Sequence, residues 1–276
     1  GTKHPLKIAV VGKYFDTGNF VLSDSYVSVI ESIKFSAAHI GVKPVITWLN
    51  AKNFEGNSAQ QKKLLQSLNE YDGIVVPGGF GSTGIEGKIN VIKHAREQKI
   101  PLLGLCYGMQ LITIEYARNV LGIKDAHSAE INPNSKNLVI DIMPEQKKKI
   151  AEGNYGGSMR LGAYEAFIKK GTVAYTAYAT SGVHGNTLSQ HNSVWERHRH
   201  RYEVNPEYIS RIEDAGLVFS GKSKDGRLME IAELPRTGEQ AHPFFLGSQF
   251  HPEFLARPLS PHPLFTEFLK AARKNI

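Results

Sequence analysis

A chain of 276 residues, 41% hydrophobic and 21% charged, can form one large domain or two small ones and has the composition of an ordinary globular protein. No apolar run approaches the roughly 18–20 residues that a membrane-spanning helix needs, and a single cysteine excludes both a disulfide framework and a Cys-rich metal site. The formal charge of +7 suits anionic partners such as nucleotides but is too modest to argue for nucleic acid. The start, Gly1-Thr2-Lys3-His4-Pro5, has neither an initiator Met nor a signal h-region, so it reads as the edge of a domain cut from a longer chain. With no sign of export, a cytoplasmic location is expected.

In chain order, Lys7 to Gly12 is a short apolar run closed by Gly. Asp24 to Ile40 carries apolar residues at helical spacing, with Asp24 able to cap it and Gly41 to stop it. Val45–Leu49 reads as a strand and Ser58–Leu68 as a helix. Gly73–Val76 reads as a strand, Gly84–Gln98 includes a helix, Pro101–Leu105 is another strand, and a helix covers Gly108–Asn119. This alternation predicts right-handed βαβ units: an open, mainly parallel sheet with helices on both faces, an α/β fold of flavodoxin-like type. The second half instead shows short strands (138–142, 217–221, 228–234, 244–250), helices near 204–215 and 262–272, and a polar loop over Thr180–Ser193 expected to be mobile. With no repeat and no linker, one domain over 1–276 is expected.

Gly104-Leu105-Cys106-Tyr107-Gly108 lies between an apolar strand and a helix. Small residues two before and two after a nucleophile permit the sharp turn that lifts it above a sheet edge, and the N-terminus of the following helix favours a thiolate. That placement outweighs the plain alternative of a buried structural Cys. A base is sought in Gln249-Phe250-His251-Pro252-Glu253, where Pro252 favours an extended His251 and Glu253, two residues on, can reach its far nitrogen. Alone, this could equally be a surface turn. The glycines of Val76-Pro77-Gly78-Gly79-Phe80-Gly81 let backbone approach a substrate.

Two nucleotide signatures fail on context. Gly79-x-Gly81-x-x-Gly84 fits a dinucleotide fingerprint, but the next strand ends in Cys106 where an acidic residue is required, and Glu97 falls inside the intervening helix. Gly216–Ser223 matches Walker A spacing, yet it follows a helix, its middle reads as a strand and Lys224-Asp225-Gly226 reads as a hairpin turn. In the basic run Glu196–Asn205, an extended backbone would put Arg197, Arg199 and Arg201 on one face and His198 and His200 on the other. Such a row suits a carboxylate or phosphate.

Together, Gly-Leu-Cys-Tyr-Gly-Met-Gln (104–110) and Gln-Phe-His-Pro-Glu (249–253) resemble the class I glutamine amidotransferases, whose triad is Cys, His and Glu. The resemblance implies Cys106 as nucleophile, His251 as base and acid, Glu253 as its orienter, and the N–H groups of Gly79 and Tyr107 as the oxyanion hole. The run Glu196–Asn205, Gly12-Lys13-Tyr14 with Asp24–Glu31, and Ser158–Gly162 resemble the CTP synthase branch of that family. This implies Arg201 on the glutamine carboxylate, and Tyr107, Gly108, Met109, Gln110 and Glu130 around the glutamine. It also implies ammonia delivered to an ATP- and Mg-dependent ligase domain that aminates UTP, activated by GTP, absent from this chain and homo-oligomeric at full length. No metal, cofactor, nucleic acid or membrane partner is expected for the chain itself. Tyr107 stands where CTP synthases usually carry Leu, and residues 163–194 align poorly with the family. Rival readings are the amidotransferase of another pathway, such as the GMP or carbamoyl phosphate enzymes, a free-standing γ-glutamyl hydrolase, and a non-catalytic binding module.

Overall fold

The apolar runs of the first half form four parallel strands with helices between them. β1 (Leu6–Gly12), β2 (Pro44–Asn50), β3 (Gly73–Val76) and β4 (Leu102–Leu105) alternate with α1 (Val27–His39), α2 (Ala59–Ser67), α3 (Ile85–Gln98) and α4 (Tyr107–Asn119). The structure, a computed structural model, describes residues 5–12, 26–79, 83–142, 159–180 and 187–273. The expected Asp24 cap, Lys13, Tyr14, Ser25, Phe80, Gly81, Ser158 and His184 lie outside these residues. β1 shows why its apolar run is nearly continuous: Leu6, Ile8 and Val10 enter one core while Ala9 and Val11 enter the other. Ser58 starts α2 through a capping box with Gln61, and Gly41, at φ +69°, takes the left-handed backbone after α1.

The second half contributes β5 (Ala126–Ser128), β6 (Asn137–Ile142), β7 (Arg160–Ile168), α5 (Val173–Ala179), β8 (Ser193–His200) and β9 (Tyr202–Val204). α6 (Pro206–Asp214), β10 (Val218–Lys222), β11 (Met229–Glu233), β12 (Phe245–Ser248) and α7 (Pro263–Arg273) follow. Among the described residues nine strands form one sheet in the order β2-β1-β3-β4-β12-β11-β10-β7-β8, and β5-β6-β9 form a small second sheet. The first five are parallel, and from β12 outward every pairing is antiparallel. α3, α4 and α6 cover one face, and α1, α5 and α7 the other. The expected α/β fold therefore holds, but the extra strands are not all short. β7 and β8 run nine and eight residues; β7 extends into the stretch that aligned poorly, and Ser193 already belongs to β8 rather than to a loop.

The last strand decides where the site lies. β12 pairs in parallel with β4, Ser248 opposite Leu105, and so sets residues 249–253 beside Cys106. Helix α4 lies almost in contact with the sheet: a methyl group on Gly108 would come within 2.4 Å of the Val76 carbonyl oxygen, and one on Gly104 within 2.9 Å of Gly108 backbone. The Walker-like segment is a strand-turn-strand unit. β10 pairs with β11, and Ser223 and Leu228 close the turn by a 2.9 Å backbone bond, so no helix follows Ser223.

Candidate active site

Cys106 is the residue between β4 and α4, and its backbone is bent to φ +51°, ψ −99°. A left-handed φ on a side chain bearing a Cβ costs about 1–3 kcal/mol and persists only where the surroundings enforce it. Here the Cys106 N–H donates to the Ser248 carbonyl at 2.6 Å, and its own carbonyl accepts from the Met109 N–H at 3.0 Å. The sulfur is buried, with the residue 6% exposed.

His251 meets it from β12's extension. Its N–H donates to the Arg197 carbonyl at 2.8 Å, and Nδ1 lies 2.8 Å from Glu253 Oε1. The expected extended stretch does not continue through Glu253: Pro252–Phe254 forms a 3-10 turn, and this bend carries the carboxylate back to Nδ1. Phe254 stacks on the imidazole with ring centroids 4.8 Å apart. Burial alone would lower the imidazole pKa, but Cys106 and the Glu253 carboxylate override it and hold it up to about 11. A protonated His251 against the sulfur is the state that these charges favour.

Two cavities meet at Cys106 and Gly79. The smaller, about 130 Å³, is lined by Tyr107, Gln110, Glu130, His200, Arg201 and Tyr202, with Met159 at its edge. The larger, about 330 Å³, contains His251, Glu253, Arg199 and Gly78. The structure thus gathers Cys106, His251 and Glu253 around one sulfur, and Gly79, Tyr107, Gln110, Glu130 and Arg201 around one cavity. Gly108 and Met109 do not line either cavity. Gly108 sits on the Val76 carbonyl and the Met109 side chain is fully buried in the core, so a substrate could meet them only through backbone groups. As the first residue of α4, Tyr107 has no intrahelical partner for its N–H. Arg201 leaves the expected basic row. β8 ends at His200, so Arg201 occupies the break before β9 and faces Glu130's cavity, while Arg197 and Arg199 stay exposed on β8.

Behind this wall runs a buried charged ladder that sequence reading missed. Arg160 contacts Glu230 at 2.9 Å and Glu203 at 3.3 Å, His198 meets Glu230 at 2.7 Å, and His200 meets Glu203 at 2.8 Å. Glu196 accepts from Tyr178 at 2.7 Å and pairs with His262 at 2.8 Å. Burial opposes the charge on Glu230, but His198 and Arg160 more than compensate and hold its pKa below the usual carboxylate range. The alternation in Glu196–His200 was a usable signal. Its buried members are Glu196, His198 and His200, while Arg197 and Arg199 are exposed.

The Glutamine amidotransferase class-I family model matches residues 21–271, and the chain belongs to that family. Within it, the chain belongs with the glutaminase domains of CTP synthases. It is 35% identical to the Trypanosoma brucei CTPS glutaminase domain with bound acivicin, at a TM-score of 0.84 over 98% of this chain and 94% of that one. It is also 47% identical over 267 residues to the CTP synthase of Sulfurisphaera tokodaii, covering 97% of this chain and 45% of that protein. A glutamine amidotransferase of Methylobacillus flagellatus shares the fold at 11% identity and a TM-score of 0.52, over 97% of this chain and 94% of that one. The chain spans about half the length of the curated relatives it matches.

Proposed function

We propose that the chain hydrolyses L-glutamine through a γ-glutamyl thioester on Cys106, and that the ammonia serves a ligase portion that aminates UTP to CTP. The observation that carries this is the meeting of Cys106 with the His251–Glu253 pair at a cavity flanked by a carboxylate, Glu130, and a guanidinium, Arg201. An α-amino acid presents both charges: Arg201 would hold its carboxylate and Glu130 its ammonium, which distinguishes glutamine from a plain amide. The thiolate then adds to the side-chain amide carbon. The N–H groups of Gly79 and Tyr107 receive the oxyanion, a kind of contact worth about 2.7–4 kcal/mol of barrier per donor. His251, held protonated by its neighbours, gives its proton to the departing ammonia and then takes one from the water that cleaves the thioester.

The similarity to CTP synthases over nearly the whole chain supports the acceptor. In this reading the chain folds as one domain, ATP, Mg and UTP belong to the ligase portion, GTP activates, the full protein is a cytoplasmic homo-oligomer, and the partner of this chain is that ligase domain. Among the described residues no helix is long and apolar enough to cross a membrane. The test is ammonia release from glutamine by this chain and its loss in Cys106→Ala, together with an assay for CTP from UTP, ATP and supplied ammonia. Glutamine hydrolysis without CTP formation is expected; CTP made by this chain alone, or full turnover by Cys106→Ala, would defeat the proposal.

A further inference from the structure

Gln249 has no part in the mechanism above, yet it is fully buried between β12 and the His251 turn and reaches the reacting sulfur. Its Nε2 lies 3.7 Å from Cys106 Sγ, within the reach of a hydrogen bond to sulfur. Its Oε1 accepts from Gln110 Nε2 at 3.2 Å, and that same nitrogen donates to the Tyr202 carbonyl at 2.9 Å. The direction of this relay is fixed chemically. A backbone carbonyl can only accept, so the Gln110 atom facing it is the amide nitrogen. That nitrogen in turn needs an acceptor from Gln249, which leaves the Gln249 NH2 group, and not its oxygen, against the sulfur. Backbone holds the residue as well, since the Gln249 N–H donates to the Glu230 carbonyl at 2.8 Å.

We propose that Gln249 is a catalytic hydrogen-bond donor to the Cys106 sulfur, oriented by Gln110, which is itself anchored on Tyr202 at the wall of the glutamine cavity. The inference deepens the functional reading and rests on Cys106 being its nucleophile. A neutral N–H directed at a buried sulfur favours the thiolate over the thiol, and the partners that hold it there are themselves buried or half-buried. The relay also ties the sulfur to the β8–β9 corner that carries Arg201. Sulfur position and carboxylate clamp are thereby set by one continuous set of contacts.

Gln249→Met keeps the side chain's length but removes the donor, while Gln249→Glu keeps its shape and puts an acceptor against the sulfur. Iodoacetamide alkylation of Cys106 as a function of pH reads the thiolate directly, without glutamine. For Gln249→Met the profile is expected to move about one pH unit to the alkaline side, giving about tenfold slower alkylation at neutral pH, with kcat falling similarly and KM changing less than about threefold. Gln249→Glu is expected to fall further, by about a hundredfold, with a native circular dichroism spectrum. A folded Gln249→Met or Gln249→Glu protein whose alkylation profile coincides with that of the unsubstituted chain overturns the proposal. Should Gln249→Met not fold, Gln110→Met frees the same carboxamide, and a smaller alkaline shift there supports the relay while none overturns it. An unsubstituted chain that is alkylated at Cys106 but hydrolyses no glutamine defeats the functional reading instead, and the alkylation profiles still decide the donor.

Discussion

The two halves of the large sheet hold their chemistry by different forces. Around β3, β4 and β12 the side chains are apolar or absent except Ser248, and Cys106 is placed by close backbone approach: Gly104 and Gly108 admit α4, and the Ser248 carbonyl takes the Cys106 N–H. Around β7, β8 and β11 the interior is polar, and the corner with Arg201 is backed by Arg160, His198, His200, Glu203 and Glu230. The first half tolerates little added volume at these glycines, and its charge is confined to the His251–Glu253 pair beside Cys106. The second has fixed charges that must all be matched, because an unmatched buried ion costs several kcal/mol. The Cys106 backbone is thus set by close approach, and the wall that carries Arg201 is backed by paired charges.

The largest effect that sharpens this contrast is expected from Glu253→Gln, where charge intrudes on the steric half. Acylation should fall by up to about ten-thousandfold, as for other triads deprived of their orienting carboxylate, with KM changed less than about threefold. Stopped-flow acylation with a glutamine-analogue electrophile measures it, and a pure KM effect would place Glu253 on the substrate instead. Next, Glu230→Gln leaves Arg160 with one of its two carboxylate partners and His198 with none, and should cost about 3–5 kcal/mol in urea unfolding; a loss below about 1 kcal/mol would mean that the ladder contributes little. Arg201→Ala should raise KM for glutamine by about 10–100-fold with kcat nearly kept, since a carboxylate clamp serves ground and transition states alike. Unchanged KM would remove Arg201 from the cavity's function. Gly108→Ala should cost about 1–3 kcal/mol through its contact with the Val76 carbonyl, and a neutral result would break the steric account.

The smallest effect distinguishes the halves by pH. His251 is raised in the fold, so its contribution to stability is complete below its ordinary value near 6.5 and is lost as pH rises through about 11. Glu230 is depressed, so its contribution is present above the ordinary carboxylate range and is lost as pH falls through its lowered value. Unfolding followed across pH should therefore show Glu230→Gln flattening the acid limb and Glu253→Gln bringing the alkaline limb to lower pH. Interchanged limbs would contradict both assignments.

The steric half was legible in the sequence because its signals are local. Glycines flank Cys106, apolar runs mark the strands, and His251 and Glu253 are two residues apart. The electrostatic half was not, because its strand β8 is patterned in reverse. Trp195 is 63% exposed while Glu196, His198 and His200 are buried, so a reading that sends apolar residues inward cannot place it. The Glu230 that His198 meets lies 32 positions away in β11, and the Arg160 that shares it lies 70 positions from Glu230 in β7, which no spacing rule reaches. Gln249 was quoted within the His251 motif, yet a neutral amide carries no signal of chemistry until a sulfur is found beside it. Arg201 was assigned to the basic row, and the break after His200 that turns it away has no marker residue.

The small sheet of β5, β6 and β9 has a consequence for engineering. It supplies Tyr202 directly and Glu130 through the turn after β5, whereas Cys106 and His251 follow strands of the large sheet. Glu130 and Tyr202 therefore sit on a different support from Cys106 and His251, and Gln110 of α4 contacts both Tyr202 and Gln249. A library placed at the exposed or half-buried positions around Glu130 can be screened for a new amino-acid side chain, provided that Ala126, Val139 and Ile140, which share a core with α4, are left unchanged.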